Sequence, residues 1–429
     1  MTKIFENSRA RSAPAGTRRT ALAVALLVVA ALFAVPGATA SAQTKSAPMA
    51  PARTLLGAAD TGPPGDDFYT PPSPLPAGSP GDVLRARPSK AGPPTARSLA
   101  NAWEVMFLST TATGKPNAVT GTVLVPKGVD PATVPVVAFA PGTSGPAFRC
   151  APSKMIDSGS FYEQAMLNEL LKRKWAVAVP DYEGYHKDPT TSYMTGKALG
   201  HAVLDAVRAA QRLPEAGLSK DAKVLFQGYS QGGGAVMWAA QQQPEYAPEL
   251  KLIGVSGGGV PGDIVAVALN LDGSPMFGFM LYALIGLHNA YPELPFDELL
   301  TDNGRKLIQN MPQDDCTLEL ITNYQKLTVD DIFTSSPLGD PSWSGRAVEN
   351  RLGGTAIKVP VFQYHSKADE IVAFSQASRL HDKYCALGVQ ETWKTYDDLS
   401  HITLVYRGNE AALAFLQDRL DGKPATSNC

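Results

Sequence analysis

The chain has 429 residues, of which 44% are hydrophobic and 18% charged, with a formal net charge of −2 at pH 7. The apolar share is ample for a core, and the length suits one large domain with insertions or two of ordinary size. A charge so near zero gives no electrostatic basis for binding nucleic acid or an anionic membrane, and neither is expected as a partner.

At the N-terminus, Lys3, Arg9, Arg11, Arg18 and Arg19 precede the apolar run "ALAVALLVVAALFAV", which is followed by "PGATASAQ". A basic region, a short apolar region and small residues before a cut describe an export signal over residues 1–42, cleaved after Ala42 or, alternatively, Ala40. The apolar run falls short of the roughly 20 residues that span a bilayer, so no stable membrane anchor is expected after cleavage. Arg18-Arg19 leaves the general and the twin-arginine export routes both open. An exported chain meets an oxidising compartment, so Cys150, Cys316, Cys385 and Cys429 are expected to pair, in one of three combinations. No two cysteines stand at a ligand spacing and no histidine sits beside them at one, so no metal is expected.

Residues 43–100 are rich in Pro, Ala and Gly, as in "TGPPGDDFYTPPSPLPAGSPGDVL". Such a composition reads as an extended arm, which Phe68, Tyr69 and Leu75 can pin to the domain surface. Beyond it come the strand-like runs "AWEVMFLST", "VTGTVLVP", "VPVVAFAP", "KWAVAVPD", "AKVLFQGY", "LKLIGVSG", "VPVFQYHS" and "ETWKTYDD". Helical stretches are predicted at 161–173, 194–213, 232–242, 373–387 and 408–420. The first runs follow one another closely, as hairpin strands do, and the later ones alternate with helices. The pattern predicts an α/β fold with a mostly parallel, Val-rich, buried sheet. About ninety residues after "GVSGGGVPGD" lack a convincing strand and are apolar at helical spacing. They predict a helical insertion over 263–355, between core segments 101–262 and 356–429. It can form a cap over the strand ends or an ordinary buried subdomain.

Two stretches spell Gly-x-Ser-x-Gly: Gly228-Tyr229-Ser230-Gln231-Gly232 and Gly254-Val255-Ser256-Gly257-Gly258. The pattern serves a nucleophile when a strand turns sharply through the serine into a helix, whose N-terminus brings N–H groups to a developing oxyanion. "QGGGAVMWAA" can continue as a helix behind Ser230, whereas Gly257 to Pro261 cannot start one behind Ser256. Ser256 reads as a strand-end residue in a glycine turn, and Ser230 as the nucleophile.

A general base and an acid must follow in the order Ser, acid, His. Of the six histidines, His186 and His201 precede Ser230. His381 falls within a helix, His288 within the insertion, and His365 at a strand end where it reads as structural. His401, in a loop after the last strand-like run, is the base candidate. Asp369 in "YHSKADEIV" is the acid candidate, with Glu370 as its neighbour and Asp397 and Asp398 as local competitors. His401 would take the serine proton, and Asp369 would fix the imidazole tautomer. The oxyanion donors expected are the backbone N–H of Gln231 and one from "FAPGTSGPAFRC", at Thr143 or, one residue on, Ser144.

With these residues in place, the chain resembles the secretory lipases of the fungal lipase A type, which have actinobacterial relatives. The resemblance is carried by "DDFYTPP", "CAPS", "DYEG", "GYSQGG", "YAPELKLIGVSGGG", "ADEIV" and "SHIT". It implies an α/β-hydrolase fold with a large helical cap and hydrolysis of carboxylic esters of lipids, as a triacylglycerol lipase or carboxylesterase, without metal or cofactor. It also implies Ser230, Asp369 and His401 as triad, and pairing of Cys150 with Cys316 and of Cys385 with Cys429. The yeast lipase A type carries an acidic residue where this chain reads "PGTSG". The expected partner is a lipid or other carboxylic ester, met at a lipid interface through transient contact of the cap. Two other readings use the same fold: acyl transfer to an alcohol from the same acyl-enzyme, and a non-catalytic binding protein.

Overall fold

The computed structural model describes residues 59–429, so the expected export signal and the start of the arm lie outside the described residues. Among the described residues, no helix is long and apolar enough to cross a membrane. Phe68 and Tyr69 are buried, and the Tyr69 hydroxyl lies 2.8 Å from Ser153 Oγ, which fastens this part of the arm to the domain.

Three antiparallel strands come first: β1 (Val83–Ser89), β2 (Ala100–Thr110) and β3 (Pro116–Pro126). Strand β1 falls within the stretch expected to be arm, because Arg85, Arg87 and Pro88 make the run look polar and broken. It lies at the sheet edge, where a proline is tolerated, and Arg87 Nε donates to Glu104 Oε2 at 2.5 Å. The chain continues through β4 (Val136–Ala140), α1 (Pro152–Ser158), α2 (Gln164–Lys172), β5 (Ala176–Tyr182), α3 (Gly196–Arg212), β6 (Lys223–Tyr229), α4 (Gln231–Tyr246) and β7 (Lys251–Gly258). Seven helices follow without an intervening strand: α5 (Ile264–Leu271), α6 (Phe277–Ala290), α7 (Asp302–Ile308), α8 (Met311–Asp314), α9 (Thr317–Asn323), α10 (Val329–Ile332) and α11 (Pro341–Glu349). The alternation then resumes with β8 (Val361–Ser366), α12 (Phe374–Ala386), β9 (Glu391–Tyr396), α13 (His401–Arg407) and α14 (Asn409–Leu420).

The nine strands form one sheet in the order β1-β2-β3-β5-β4-β6-β7-β8-β9. From β5 to β9 every pairing is parallel. The ends of β4, β6 and β8 therefore open onto one edge, and the loops after them meet there. Strand β4, "VVAFA", is buried at all five positions and shows why. Val136 and Ala138 pack with Val203 and Val207 of α3 and Val236 of α4, while Val137 and Phe139 face Leu167 and Leu171 of α2 and Leu416 of α14. A strand covered on both faces needs apolar residues on both, which erases the alternation of a half-exposed strand.

The seven helices between β7 and β8 have a core of their own, built on Phe277, Leu281, Leu284, Leu320, Phe333 and Trp343 and joined by Ile371 and Val372 from the loop after β8. A disulfide between Cys150 and Cys316 (Cα–Cα 5.7 Å) ties this insertion to the loop after β4. Beside it, Thr317 N–H donates to Ser144 O at 3.1 Å and Ala147 N–H donates to Asp315 O at 3.0 Å. At Gly145 a Cβ would stand 2.5 Å from Cys316 Cα, so only glycine lets the two segments close up. The second disulfide joins Cys385 in α12 to Cys429, 5.2 Å apart at Cα, and holds the C-terminal tail.

Candidate active site

Strand β6 is buried from Val224 onward and ends at Tyr229. Ser230 then takes φ 56° and ψ −122°, and α4 begins at the next residue. A non-glycine residue held at positive φ stores strain on the order of 1–3 kcal/mol, kept by its surroundings. Ser230 N–H donates to Gly258 O and Gly234 N–H donates to Ser230 O, both at 2.9 Å, so the turn is pinned from two sides. A Cβ on Gly228 would meet Gly232 O at 2.3 Å, and one on Gly232 would meet Ala140 O at 1.9 Å. Both glycines of this copy are thus demanded by close backbone approach.

Ser256 has the same spelling and another fate. It lies inside β7, in register with Gln227 and Phe362, fully buried, with no hydrogen-bond partner for its Oγ. The expected glycine turn is absent at this serine, because the ladder continues past it to Gly258.

The loop after β8 carries Asp369, and His401 stands at the start of α13, with the Ser400 side chain accepting from Thr403 N–H. His401 is not in a loop, as its sequence context suggests, because the Ser400 cap makes it the first residue of a short helix. His401 Nδ1 lies 2.7 Å from Asp369 Oδ2. Facing a carboxylate, Nδ1 carries the proton and leaves Nε2 as an acceptor. Asp369 Oδ1 accepts from Ile371 N–H at 3.0 Å and Val372 N–H at 2.7 Å. Burial works to raise the Asp369 carboxyl, but the His401 imidazole and the hydrogen bonds from His365 and His401 outweigh it and hold it below the usual carboxylate range. His365 supports the site from behind, with Nε2 2.7 Å from Val372 O and 3.2 Å from Asp369 Oδ2. Glu370 accepts the backbone N–H of His401 at 2.9 Å, and Asp397 pairs with Lys367 at the surface.

Ser230 and His401 line one cavity of about 110 Å³, together with Thr143, Glu163, Phe279 of α6 and Thr317 of α9. Thr143 Oγ1 is 2.8 Å from the Tyr193 hydroxyl, and Thr143 O accepts from Thr317 Oγ1. Ser144 is buried beside it with its Oγ unpartnered, and Gln231 opens α4 directly behind Ser230. Sequence reasoning missed Glu163. Its carboxylate Oε2 accepts from Gly142 N–H at 2.8 Å, in the loop after β4, and its side chain is buried. Burial pushes its carboxyl up to about 8, against the Gly142 N–H and the Tyr162 hydroxyl, which favour the ionised form.

One sequence inference needs correction. His381 and Cys385 are four residues apart on α12, a ligand spacing after all, and His381 Nδ1 lies 2.8 Å from Glu391 Oε2. The side chains of His381, Cys385, Glu391 and Cys429 come together, but both sulfurs are engaged in the disulfide.

Comparison with known proteins gives a consistent picture. The model of the family described as "Secretory lipase" matches residues 151–428. Lipase 5 of Candida albicans is 32% identical over 86% of this chain and 83% of its own length. A secreted triacylglycerol lipase of Malassezia globosa, LIP7, is 31% identical over 85% of this chain and 81% of its own. Among solved structures, the closed state of Candida antarctica lipase A superposes with a TM-score of 0.76 at 26% identity, covering 84% of this chain and 86% of that one. A rice cell wall degrading esterase from Xanthomonas oryzae, at 18% identity and a TM-score of 0.66 over 81% of this chain and all of its own, shares the fold.

Proposed function

The chain belongs to the secretory lipase family and is an ester-hydrolysing enzyme of the α/β-hydrolase fold acting on lipid esters, and on that premise we propose that Ser230, His401 and Asp369 carry out the reaction through an acyl-enzyme. His401 Nε2 takes the proton of Ser230 Oγ as the oxygen attacks the ester carbonyl, and Asp369 stabilises the imidazolium that forms. The negative charge that develops on the carbonyl oxygen is received by the backbone N–H groups of Gln231 and Thr143, each donor of this kind being worth roughly 3–4 kcal/mol. The imidazolium returns its proton to the departing alcohol, and a water activated by the same imidazole releases the acid.

The observation that carries this reading is a pairing. The strained Ser230 at the mouth of α4 shares its cavity with His401, whose other ring nitrogen is engaged by a buried carboxylate. Thr143 is favoured over Ser144 as second donor because it lines the cavity. The helices over 263–355 act as the cap in this reading, since Phe279 and Thr317 line the cavity, and the same helices would meet a lipid surface. Export through the signal at residues 1–42 completes the proposal. The decisive experiment compares p-nitrophenyl ester hydrolysis by Ser230→Ala and Ser256→Ala, with fluorophosphonate labelling mapped by peptide mass. Equal loss from both, or a label away from Ser230, would sink the assignment.

A further inference from the structure

Glu163 is the acid that the proposed chemistry leaves unused. It sits at the N-terminal end of α2, 1% exposed, and still contributes to the wall of the cavity that holds Ser230 and His401. Its Oε2 is bonded to Gly142 N–H, one residue before Thr143. The loop is crowded here, since a Cβ on Gly142 would meet the Tyr162 hydroxyl at 2.4 Å and Glu163 Oε2 at 3.6 Å. We propose that Glu163 is a positioning residue for ester cleavage, its neutral carboxyl holding the Pro141–Gly142 peptide, and with it the loop that carries Thr143, in place and its ionisation shutting the site down. This inference rests on Ser230 being the nucleophile.

Two separate physical effects are involved. The hydrogen bond fixes which way the Pro141–Gly142 peptide faces, one residue before Thr143, and either a carboxylic acid or a carboxylate can accept it. Charge matters differently. A carboxylate buried in this wall shares the cavity in which the ester oxygen would become negative, and like charges in a low-dielectric site repel strongly. Hydrogen bonding is kept through ionisation while transition-state stabilisation is lost.

The titratable groups around Glu163 are Tyr162 beside it, Tyr182 at the end of β5, Tyr364 in β8, and Tyr193, Tyr229, His401 and Tyr406 in the lining of the same cavity. Burial raises the phenols of Tyr182 and Tyr364 and takes Tyr193 to about 12, so these remain neutral through mildly alkaline pH. With Glu163 raised to about 8 by burial, the neutral form prevails below that pH and the charged form above it, so activity is lost as pH rises.

The test measures kcat and KM on a soluble p-nitrophenyl ester from pH 5 to 10 for the wild type, Glu163→Gln and Glu163→Ala, with melting curves for each. The wild type is expected to lose kcat above pH 8, approaching about tenfold per pH unit, with KM nearly constant. Glu163→Gln accepts the same Gly142 bond without titrating, and keeps kcat within about threefold at pH 6.5 while its alkaline limb disappears. Glu163→Ala lowers kcat by about tenfold or more at every pH. An alkaline limb unchanged in Glu163→Gln, or an unchanged kcat in Glu163→Ala, overturns the proposal. Fluorophosphonate labelling of the wild type reports separately on Ser230: failure there defeats the nucleophile assignment, whereas a pH profile insensitive to Glu163→Gln defeats only the role of Glu163.

Discussion

The ends of β6 and β7 lie side by side in the sheet, carry the same Gly-x-Ser-x-Gly spelling, and do opposite things with it. After β6 the chain leaves the sheet at Ser230 and winds at once into α4. In β7 it stays in the ladder through Ser256, whose hydroxyl ends up in the core without a partner. The glycines differ in purpose as well. Gly232 makes room for the Ala140 carbonyl, whereas Gly258 makes room for the Tyr364 ring, which a Cβ would approach to 2.1 Å. A spacing motif therefore specifies how much room the backbone has, and the residues that follow decide what the room is for.

The sharpest way to break this comparison is to remove each hydroxyl. Ser230→Ala is expected to lower kcat by about 10⁴-fold or more, as deletion of a triad nucleophile does, with the melting temperature maintained. Next in size is Gly232→Ala, where the added methyl would overlap backbone that cannot yield, 1.9 Å from Ala140 O. Loss of both fluorophosphonate labelling and several degrees of melting temperature is expected, by calorimetry and gel readout. Gly258→Ala meets a ring rather than a carbonyl. It should cost about 1–3 kcal/mol in chemical denaturation and leave labelling within about tenfold of wild type. Smallest is Ser256→Ala, which removes an unpartnered buried hydroxyl, so kcat stays within about twofold and stability is unchanged or slightly higher. A large loss of activity in this last variant would erase the distinction between the two strand ends.

Much of this was legible in the chain itself. The apolar runs of β4 and β5 and the glycines followed by "AVMWAA" each state a local requirement in local residues, and the chain order of Ser230, Asp369 and His401 picked out residues that the structure brings to one place. Strand β1 was not legible because its arginines mask the pattern: Arg87 pairs with its cross-strand partner Glu104 in β2 and Arg85 donates to the Phe68 carbonyl, partners that the local sequence does not show. Glu163 was hidden for another reason: nothing in "FYEQA" marks it, and its partner Gly142 is 21 residues away in a loop. The same holds for His365, whose support of Asp369 appears only once the loop after β8 folds back on the strand.

The seam at Gly145 and Cys316 has a consequence for anyone who would exchange the helical insertion between relatives. Loop and insertion share a disulfide, two backbone hydrogen bonds and a glycine contact that tolerates no side chain. Grafting residues 263–355 alone would set a foreign 315–317 segment against a native 143–147 loop, where Thr317 bonds to both Thr143 O and Ser144 O, and Thr143 is the residue proposed above as second oxyanion donor. A functional chimera is expected to need both strips from the same parent, which makes the loop after β4, by inheritance, part of the helical insertion.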